Sequence, residues 1–358
     1  MVFSGAVTLV AFLVALGVLV VVHELGHFFV AKRIGVKVER FSVGFGPIVW
    51  RRQRGETEYA LSAIPLGGYV KMLGEDEEVA DDEDSTRAFG NQSLGARSAI
   101  VAAGPITNLA FAFVVYVLLG LVFGMSVPSE EAILGSIAPD TAAAAAGFEA
   151  GDRVLSVDGN PIATWEMLVK TVQGSGGRGL RFEIERGGVR REVAVTPRLE
   201  ESAQGEGGAA EVYRIGARPY VAHQALGPIE AVVAGAKITT VMTGKVAMGF
   251  LSMLSGHIPL RELGGPIAIA QVAGQQARAG GEAFASMLAF LSINLGVLNL
   301  LPIPILDGGH LALFGAEAVL RRPVRRRARE MAQSLGLLVL LALMIVVFFN
   351  DVSRLIQG

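Results

Sequence analysis

No cysteine occurs in this chain, which excludes disulfides, thiolate metal sites and a cysteine nucleophile. Charge is scarce too. Only 18% of residues are Asp, Glu, Lys or Arg, while 52% are hydrophobic; an ordinary globular chain carries about 25% charged residues. Over 358 residues that much apolar surface must face something other than water, which excludes a wholly soluble enzyme and a disordered chain. The net charge of −2 offers no general attraction to phosphate, so no nucleic-acid partner is expected. Histidine is rare, with five in all. Any metal must be held by these, by Asp or Glu, or by backbone oxygen. Basic residues are missing before Lys32. A secretory signal peptide would open with them, so the apolar N-terminal stretch is read as a retained span.

In place of charge the chain has four long uncharged runs: Val2 to Val22, Ser98 to Ser129, Ala283 to Leu306 and Met331 to Asn350. Each approaches or exceeds the length of about 20 residues that a helix needs to cross a bilayer. Lys32, Arg33, Lys37, Arg51, Arg52 and Arg54 follow the first run, and six arginines between Arg321 and Arg329 separate the last two. The positive-inside rule then puts both termini outside and both basic loops in the cytosol. The expected fold is therefore an α-helical polytopic membrane protein with four transmembrane helices. The lipid bilayer is its first expected partner.

Between the spans the pattern changes. Residues 36–69 alternate apolar residues with Gly and Pro, predicting strands and turns on the cytosolic side. The acidic run from Glu75 to Asp84 reads as a solvated tether. On the outer side, Ile133–Ala138, Arg181–Arg186 and Arg191–Pro197 alternate as strands, and Trp165–Gln173 has helical spacing behind a Thr164 cap. A Gly-rich linker follows at Gln204–Ala210. From Gly227 to His257 the chain is apolar, with Glu230, Lys237 and Lys245 spaced to share one helical face. This predicts an amphipathic helix lying on or against the membrane rather than a fifth span.

The strongest local signal is His23-Glu24-Leu25-Gly26-His27 at the end of the first span. Positions i and i+4 of a helix share a face about 6 Å apart along the axis. Two imidazoles there can grip one zinc ion, and Glu24 beside them can accept a proton from an attacking water. Ionisable groups at membrane depth are expensive unless paired or functional. A catalytic zinc needs a third protein ligand. His223 and His257 fall on the outer side. Asp307 and His310, in LDGGH, end a span running in the same direction as the first and so lie at the depth of HELGH. Of these two, Asp307 is preferred because it needs no tautomer choice. The approach to it, NLLPIPILDGG, breaks the helix at Pro302 and Pro304. Such irregular backbone is tolerated in a membrane where protein or a water-filled cavity surrounds it. Asn299 and Asn294 each read otherwise as a helix-to-helix hydrogen bond; Asn299, nearer the break, is the better functional candidate, and Asn108 is weaker on spacing alone.

The segments HELGHFFVAKRIGVKVERFSVGFGP, IPLGGYVKMLGE, AFGNQSLGARSAIVAAGPITNLAFAF, ELGGPIAIAQ and NLLPIPILDGGH resemble the site-2 proteases, most of all the bacterial regulator-of-sigma-E-protease branch. The resemblance implies zinc ligands at His23, His27 and Asp307 and a general base at Glu24. It also implies substrate positioning by Asn299 and the neighbouring Pro302, and by Gly67 and Gly68 within a membrane-associated β-loop that presents substrate as a strand. The expected function is hydrolysis by an intramembrane zinc metalloprotease. Its expected partners are the transmembrane segments of trimmed anti-sigma factors or signal-peptide remnants, in the bacterial inner membrane, with the active site near the cytosol. Gly147–Ile162 (GFEAGDRVLSVDGNPI) resembles a PDZ module, and a second such pattern does not follow it. The expected domains are residues 1–126 with the β-loop, a single extracytoplasmic PDZ domain of α+β type at 127–200, a linker at 201–225, an amphipathic segment at 226–282, and the last two spans at 283–358. A peptide would add to the Ile133–Ala138 edge opposite the Trp165–Val172 helix, with Leu168 and Val172 lining the groove.

Overall fold

The computed structural model describes residues 2–75, 85–202, 210–256, 264–322 and 324–357. Most of the acidic run, most of the Gly-rich linker and His257 lie outside the described residues. The chain divides into two compact units, one formed by 1–122 with 227–358 and the other by 123–226.

The first unit is helical. Helix α1 (Val2–Ile34) is followed by strands β1 (Val38–Arg54) and β2 (Thr57–Met72), then by α2 (Leu94–Val122). After the second unit come α5 (Pro228–Leu254), α6 (Pro266–Ala279), α7 (Gly281–Leu300), α8 (Asp307–Leu320) and α9 (Arg326–Gln357). All four expected runs lie wholly or largely in helices, α1, α2, α7 and α9. Helix α7 ends at Leu300, and Leu301 is already extended. Pro302 and Pro304 cannot donate the backbone bonds that would continue it.

Contacts fix the helix directions. On α1 and α2, His23 meets Asn108 and His27 meets Ile100, so these two run antiparallel. Ala11 and Ala15 of α1 cluster with Met287 of α7, and His23 meets Asn299. Helices α1 and α7 are therefore parallel, as the placement of Asp307 required. On α9, Gly336 lies by Pro304 while Asp351 binds the start of α6. Asp351 is buried and accepts from the backbone N–H groups of Gly265, Ile267 and Ala268, so a carboxylate late in the sequence caps α6 from another helix.

Among the described residues five helices, including α5, are long and apolar enough to cross a membrane by length and composition. On α5 Lys237 and Lys245 are exposed, and so are Val232, Val233, Val241 and Met248. The other face packs lengthwise on α2 and α7, with Gly235 against Val117 and Phe113.

The β-loop is more elaborate than a hairpin. Residues 38–43 pair on one side with 68–72 and on the other with 58–61, while 48–54 pair with 57–62. The result is a mixed sheet in the order 48–54, 57–62, 38–43, 68–72, in which 38–43 runs parallel to 58–61 and the other neighbours are antiparallel, turned by bends at Gly44 and Gly46. Both glycines have positive φ, 92° and 82°, where a side chain would be strained. Glu56 at the tip binds Lys32 at the end of α1 and Arg87. The Lys32 ammonium, and then the Arg87 guanidinium, hold its carboxyl below the usual range.

The second unit comprises β3 (Met125–Pro128), β4 (Leu134–Ile137), α3 (Ala142–Ala145), β5 (Arg153–Val157), β6 (Asn160–Pro161), α4 (Trp165–Gln173), β7 (Leu180–Arg186), β8 (Val189–Val195), β9 (Arg198–Ser202), β10 (Ala210–Arg214), β11 (Ala217–Pro219) and β12 (Val221–Gln224). A four-stranded sheet β6-β5-β7-β8 and α4 share a core that includes Leu134, Val154, Leu168, Phe182 and Ile184. Thr164 caps α4 as expected, accepting from the Met167 N–H.

Two expectations are corrected here. The segment 201–225 is not merely a linker, because β10, β11 and β12 return to pair with β9, β4 and β3. In addition, the Ile133–Ala138 edge is not open. Its one side is taken by β11, with Ala138 N–H donating to Gly216 O and Tyr220 N–H to Ile133 O. On the other side Leu134 exchanges bonds with Gly151 and Asp152. Leu168 and Val172 sit in the core at 2% and 5% exposure, so they line no groove. A period-two pattern identifies a strand but not its neighbour, and only the described pairing reveals that the chain supplies one itself.

Asp152 is wholly buried and takes two bonds from Arg186 and one from the Glu149 N–H. Burial alone would push its carboxyl up, but the Arg186 pair and the Glu149 N–H outweigh it and hold the group below its usual range. Asp152→Ala is expected to destabilise the second unit by about 1–3 kcal/mol, since it removes two charge-assisted bonds from Arg186 and leaves the Glu149 N–H without its acceptor. With a depressed folded-state titration, the wild-type contribution is complete above the ordinary aspartate value of about 4 and is lost as pH falls further. Hydrogen exchange at β5 and β7 in the full chain measures both effects.

Candidate metal centre

The site forms where α1, α2, α7 and the start of α8 meet. Three of these approach one another through glycine. A Cβ on Gly26 would overlap the Ala103 carbonyl and the Thr107 hydroxyl of α2. One on Gly104 would overlap the rings of His27 and His23, and one on Gly296 would lie 3.0 Å from the Pro105 carbonyl. The Gly of HELGH is therefore a packing requirement, and it lets imidazoles on α1 reach acceptors on α2.

His23, His27 and Asp307 converge. His23 Nε2 lies 3.2 Å from His27 Nε2 and 3.2 Å from Asp307 Oδ2, and the third edge, His27 to Asp307, is 3.6 Å. Asp307 Oδ2 is buried without a hydrogen-bond partner. These three are the only cluster of potential ligands among the described residues. Zinc holds His nitrogen and carboxylate oxygen tetrahedrally at about 2.0–2.2 Å, which separates ligand atoms by about 3.3–3.6 Å. The observed triangle matches that spacing within 0.1 Å. Two imidazole nitrogens face to face, with an unpartnered carboxylate oxygen between them, suit a cation of this kind, so the donor set fits zinc.

The supporting contacts come mostly from α2. His27 Nδ1 donates to the Ile100 carbonyl at 2.9 Å, which fixes its tautomer and leaves Nε2 with a lone pair. Asn108, wholly buried, lies 3.0 Å from His23 Nδ1. Asn299, 9% exposed, brings Nδ2 within 3.3 Å of His23 Nε2. Asp307 begins α8 next to Gly308 and Gly309. Cβ atoms on this pair would strike the carbonyls of Leu300, Leu301 and Ile303. The LDGG pattern thus lets the first turn of α8 press against the broken backbone. Arg97 at the start of α2 steadies α8 further, pairing with buried Glu317 at 3.0 Å and lying over Phe314.

Gly68 of the β-loop approaches the same place. A Cβ there would lie 2.8 Å from Val20 and 3.0 Å from Glu24 Cγ. Gly67, with φ of 143°, packs under the Phe45 ring, which stacks on Tyr69. The sheet therefore reaches the acid. Pro302 is exposed within the break. His310, one turn into α8, is outside the ligand cluster, as is Asn294, whose side chain bonds Phe290 of its own helix. His223 lies in β12 of the other unit. Sequence reasoning missed the Ile100 carbonyl, which no side-chain pattern reveals, and underrated Asn108. The Gly104-to-Asn108 spacing, which puts both on one helical face, was the available signal.

Among protein families, peptidase family M50 matches residues 11–343. The chain is 34% identical over 453 aligned residues to the regulator of sigma-E protease RseP of Salmonella typhimurium, covering 97% of this chain and 98% of the relative. For the same protease of Escherichia coli K12 the identity is 33% over 458 residues, with the same coverage. A protein of Mesorhizobium japonicum, named as a zinc metalloprotease, is 39% identical over 364 residues, 96% of this chain and 98% of its own. The two longer alignments exceed the 358 residues of this chain by about the length of a small domain.

Gly104→Ala is expected to displace His27 and weaken zinc binding by at least tenfold, with helix content unchanged. Chelator competition on the purified protein measures the loss.

Proposed function

This chain belongs to peptidase family M50, and we propose that His23, His27 and Asp307 hold its metal while Glu24 moves the proton. The enzyme is a zinc metalloprotease of the intramembrane site-2 type in a multi-pass inner-membrane protein. The observation that carries the ligand assignment is the 3.2, 3.2 and 3.6 Å triangle of donor atoms closed by an otherwise unpartnered Asp307 oxygen.

Zinc bound there supplies Lewis acidity towards a carbonyl and makes a water more acidic. Glu24 accepts the proton of the attacking water and returns it to the leaving amide nitrogen. Asn299, beside His23, orients the scissile peptide with Pro302. Gly67 and Gly68 keep the inner edge of the β-loop free of side chains, so an unwound substrate segment can lie next to Glu24. Glu24→Gln is expected to keep zinc and lose cleavage by about a hundred- to ten-thousand-fold. His23→Ala, His27→Ala and Asp307→Ala each lose zinc, whereas His310→Ala keeps it. Metal analysis together with cleavage of a transmembrane peptide checks all five, and zinc loss in His310→Ala with retention in Asp307→Ala would overturn the assignment.

Four spans, α1, α2, α7 and α9, support a topology with the metal towards the cytosol and the second unit and both termini outside. The basic residues Lys32, Arg33, Arg97, Arg321 and Arg322 gather at the metal end of the helices, as the positive-inside rule requires. Helix α5, whose exposed face carries Lys237 and Lys245, is read as an amphipathic helix packed against α2 and α7 rather than as a fifth span. Because cysteine is absent, labelling is direct. A cysteine at Ser175 is expected to react with an impermeant reagent from outside and one at Ser85 is not; the reverse pattern would reject this orientation.

The second unit, read as a single PDZ module from its GFEAGDRVLSVDGNPI motif, acts as a size filter. Its expected peptide edge is filled by β11, which favours exclusion over capture. The substrates are transmembrane segments already trimmed outside, such as anti-sigma factors or signal-peptide remnants. Strands β3 and β12 pair, so the unit's two ends lie side by side and a short loop can replace residues 127–222. That deletion is expected to leave zinc binding intact and to admit substrates with large outer domains. A deletion variant that binds zinc but cuts nothing would reject the filter.

A further inference from the structure

Asn108 is the one wholly buried asparagine among the described residues, and the chemistry proposed above gives it no part. Its Cβ packs by Gly296, and its backbone carbonyl accepts from the Ser292 hydroxyl. Its amide points away from these, at His23. Nδ2 lies 3.0 Å from His23 Nδ1, and Oδ1 is buried with no partner. In that orientation the amide donates to Nδ1 and forces the imidazole proton onto Nε2, the atom that faces His27 and Asp307. A protonated Nε2 cannot bind a metal. A half-turn of the amide exchanges its two ends without changing its shape. Oδ1 then accepts from Nδ1–H, and Nε2 carries a lone pair.

Resting on the ligand set proposed above, we infer that Asn108 is a positioning residue: its side-chain oxygen accepts the His23 Nδ1 proton and keeps Nε2 available to the metal. It does for His23 what the Ile100 carbonyl does for His27. The two ligands on α1 are thus oriented by α2 from positions two turns apart. Partners of this kind set ligand tautomer and basicity, and their loss typically weakens metal binding by about 10–100-fold.

The test uses the full-length protein. In wild-type protein carrying nitrogen-15 histidine, titrated with zinc, His23 is expected to show a protonated Nδ1 and a metal-shifted Nε2. Coordination through Nδ1, or an Nδ1 without a proton, overturns the inference while leaving His23 a ligand. No zinc-dependent change at His23 overturns the ligand set and this inference with it. In parallel, Asn108→Leu is expected to bind zinc about 10–100-fold more weakly in chelator competition. Asn108→Asp, which keeps the shape and the acceptor oxygen, is expected to stay within about threefold of wild type. Leu binding as tightly as wild type, or Asp losing as much as Leu, rejects the role. If the leucine variant fails to fold, the wild-type nitrogen spectrum decides.

Discussion

The close approach of α1 to α2 is the constraint on which the metal centre rests. Gly26 and Gly104 leave no room between the two backbones. Because of that contact, His27 reaches a carbonyl and His23 reaches an amide of a helix about eighty residues away in sequence. Without these partners the two imidazoles would be free to rotate and to choose either tautomer, and two polar rings would be buried in an apolar bundle at high cost. Packing, tautomer and metal affinity are in this sense one property. Gly296 extends the same arrangement to α7, whose end delivers Asn299 and, after the break at Pro302 and Pro304, Asp307.

The division of the site between sequence-local and sequence-distant residues explains what could be read in advance. HELGH is legible because one helical turn brings its members together. Asp307 was reached only by reasoning about helix direction, and α1 and α7 are indeed parallel. Asp307 was preferred to His310 because it needs no tautomer choice, the resemblance to a protease family implied the same residue, and the donor triangle contains Asp307 alone of the two. The Ile100 carbonyl could not be read, since backbone acceptors leave no mark in a residue pattern.

In the second unit the strands and the Thr164 cap follow from periodicity and capping chemistry, yet their partners do not. Strand β11 fills the edge of β4, and alternation along either strand is the same whichever neighbour it has. The β-loop shows the same limit. Its Gly and Pro predicted turns, but residues 38–43 become the centre of a four-stranded sheet only because β1 and β2 both bend. For α5, composition admits a crossing and charge spacing admits a surface helix.

The cap that Asp351 places on α6 bears on how the molecule comes into being. Every residue proposed to hold the metal or move the proton, from His23 to Asp307, is synthesised before α9. The start of α6 gains its carboxylate only when α9 has been made and inserted. A nascent chain can therefore assemble its catalytic residues while this fastening is still missing. Insertion of α9 is what fastens the start of α6.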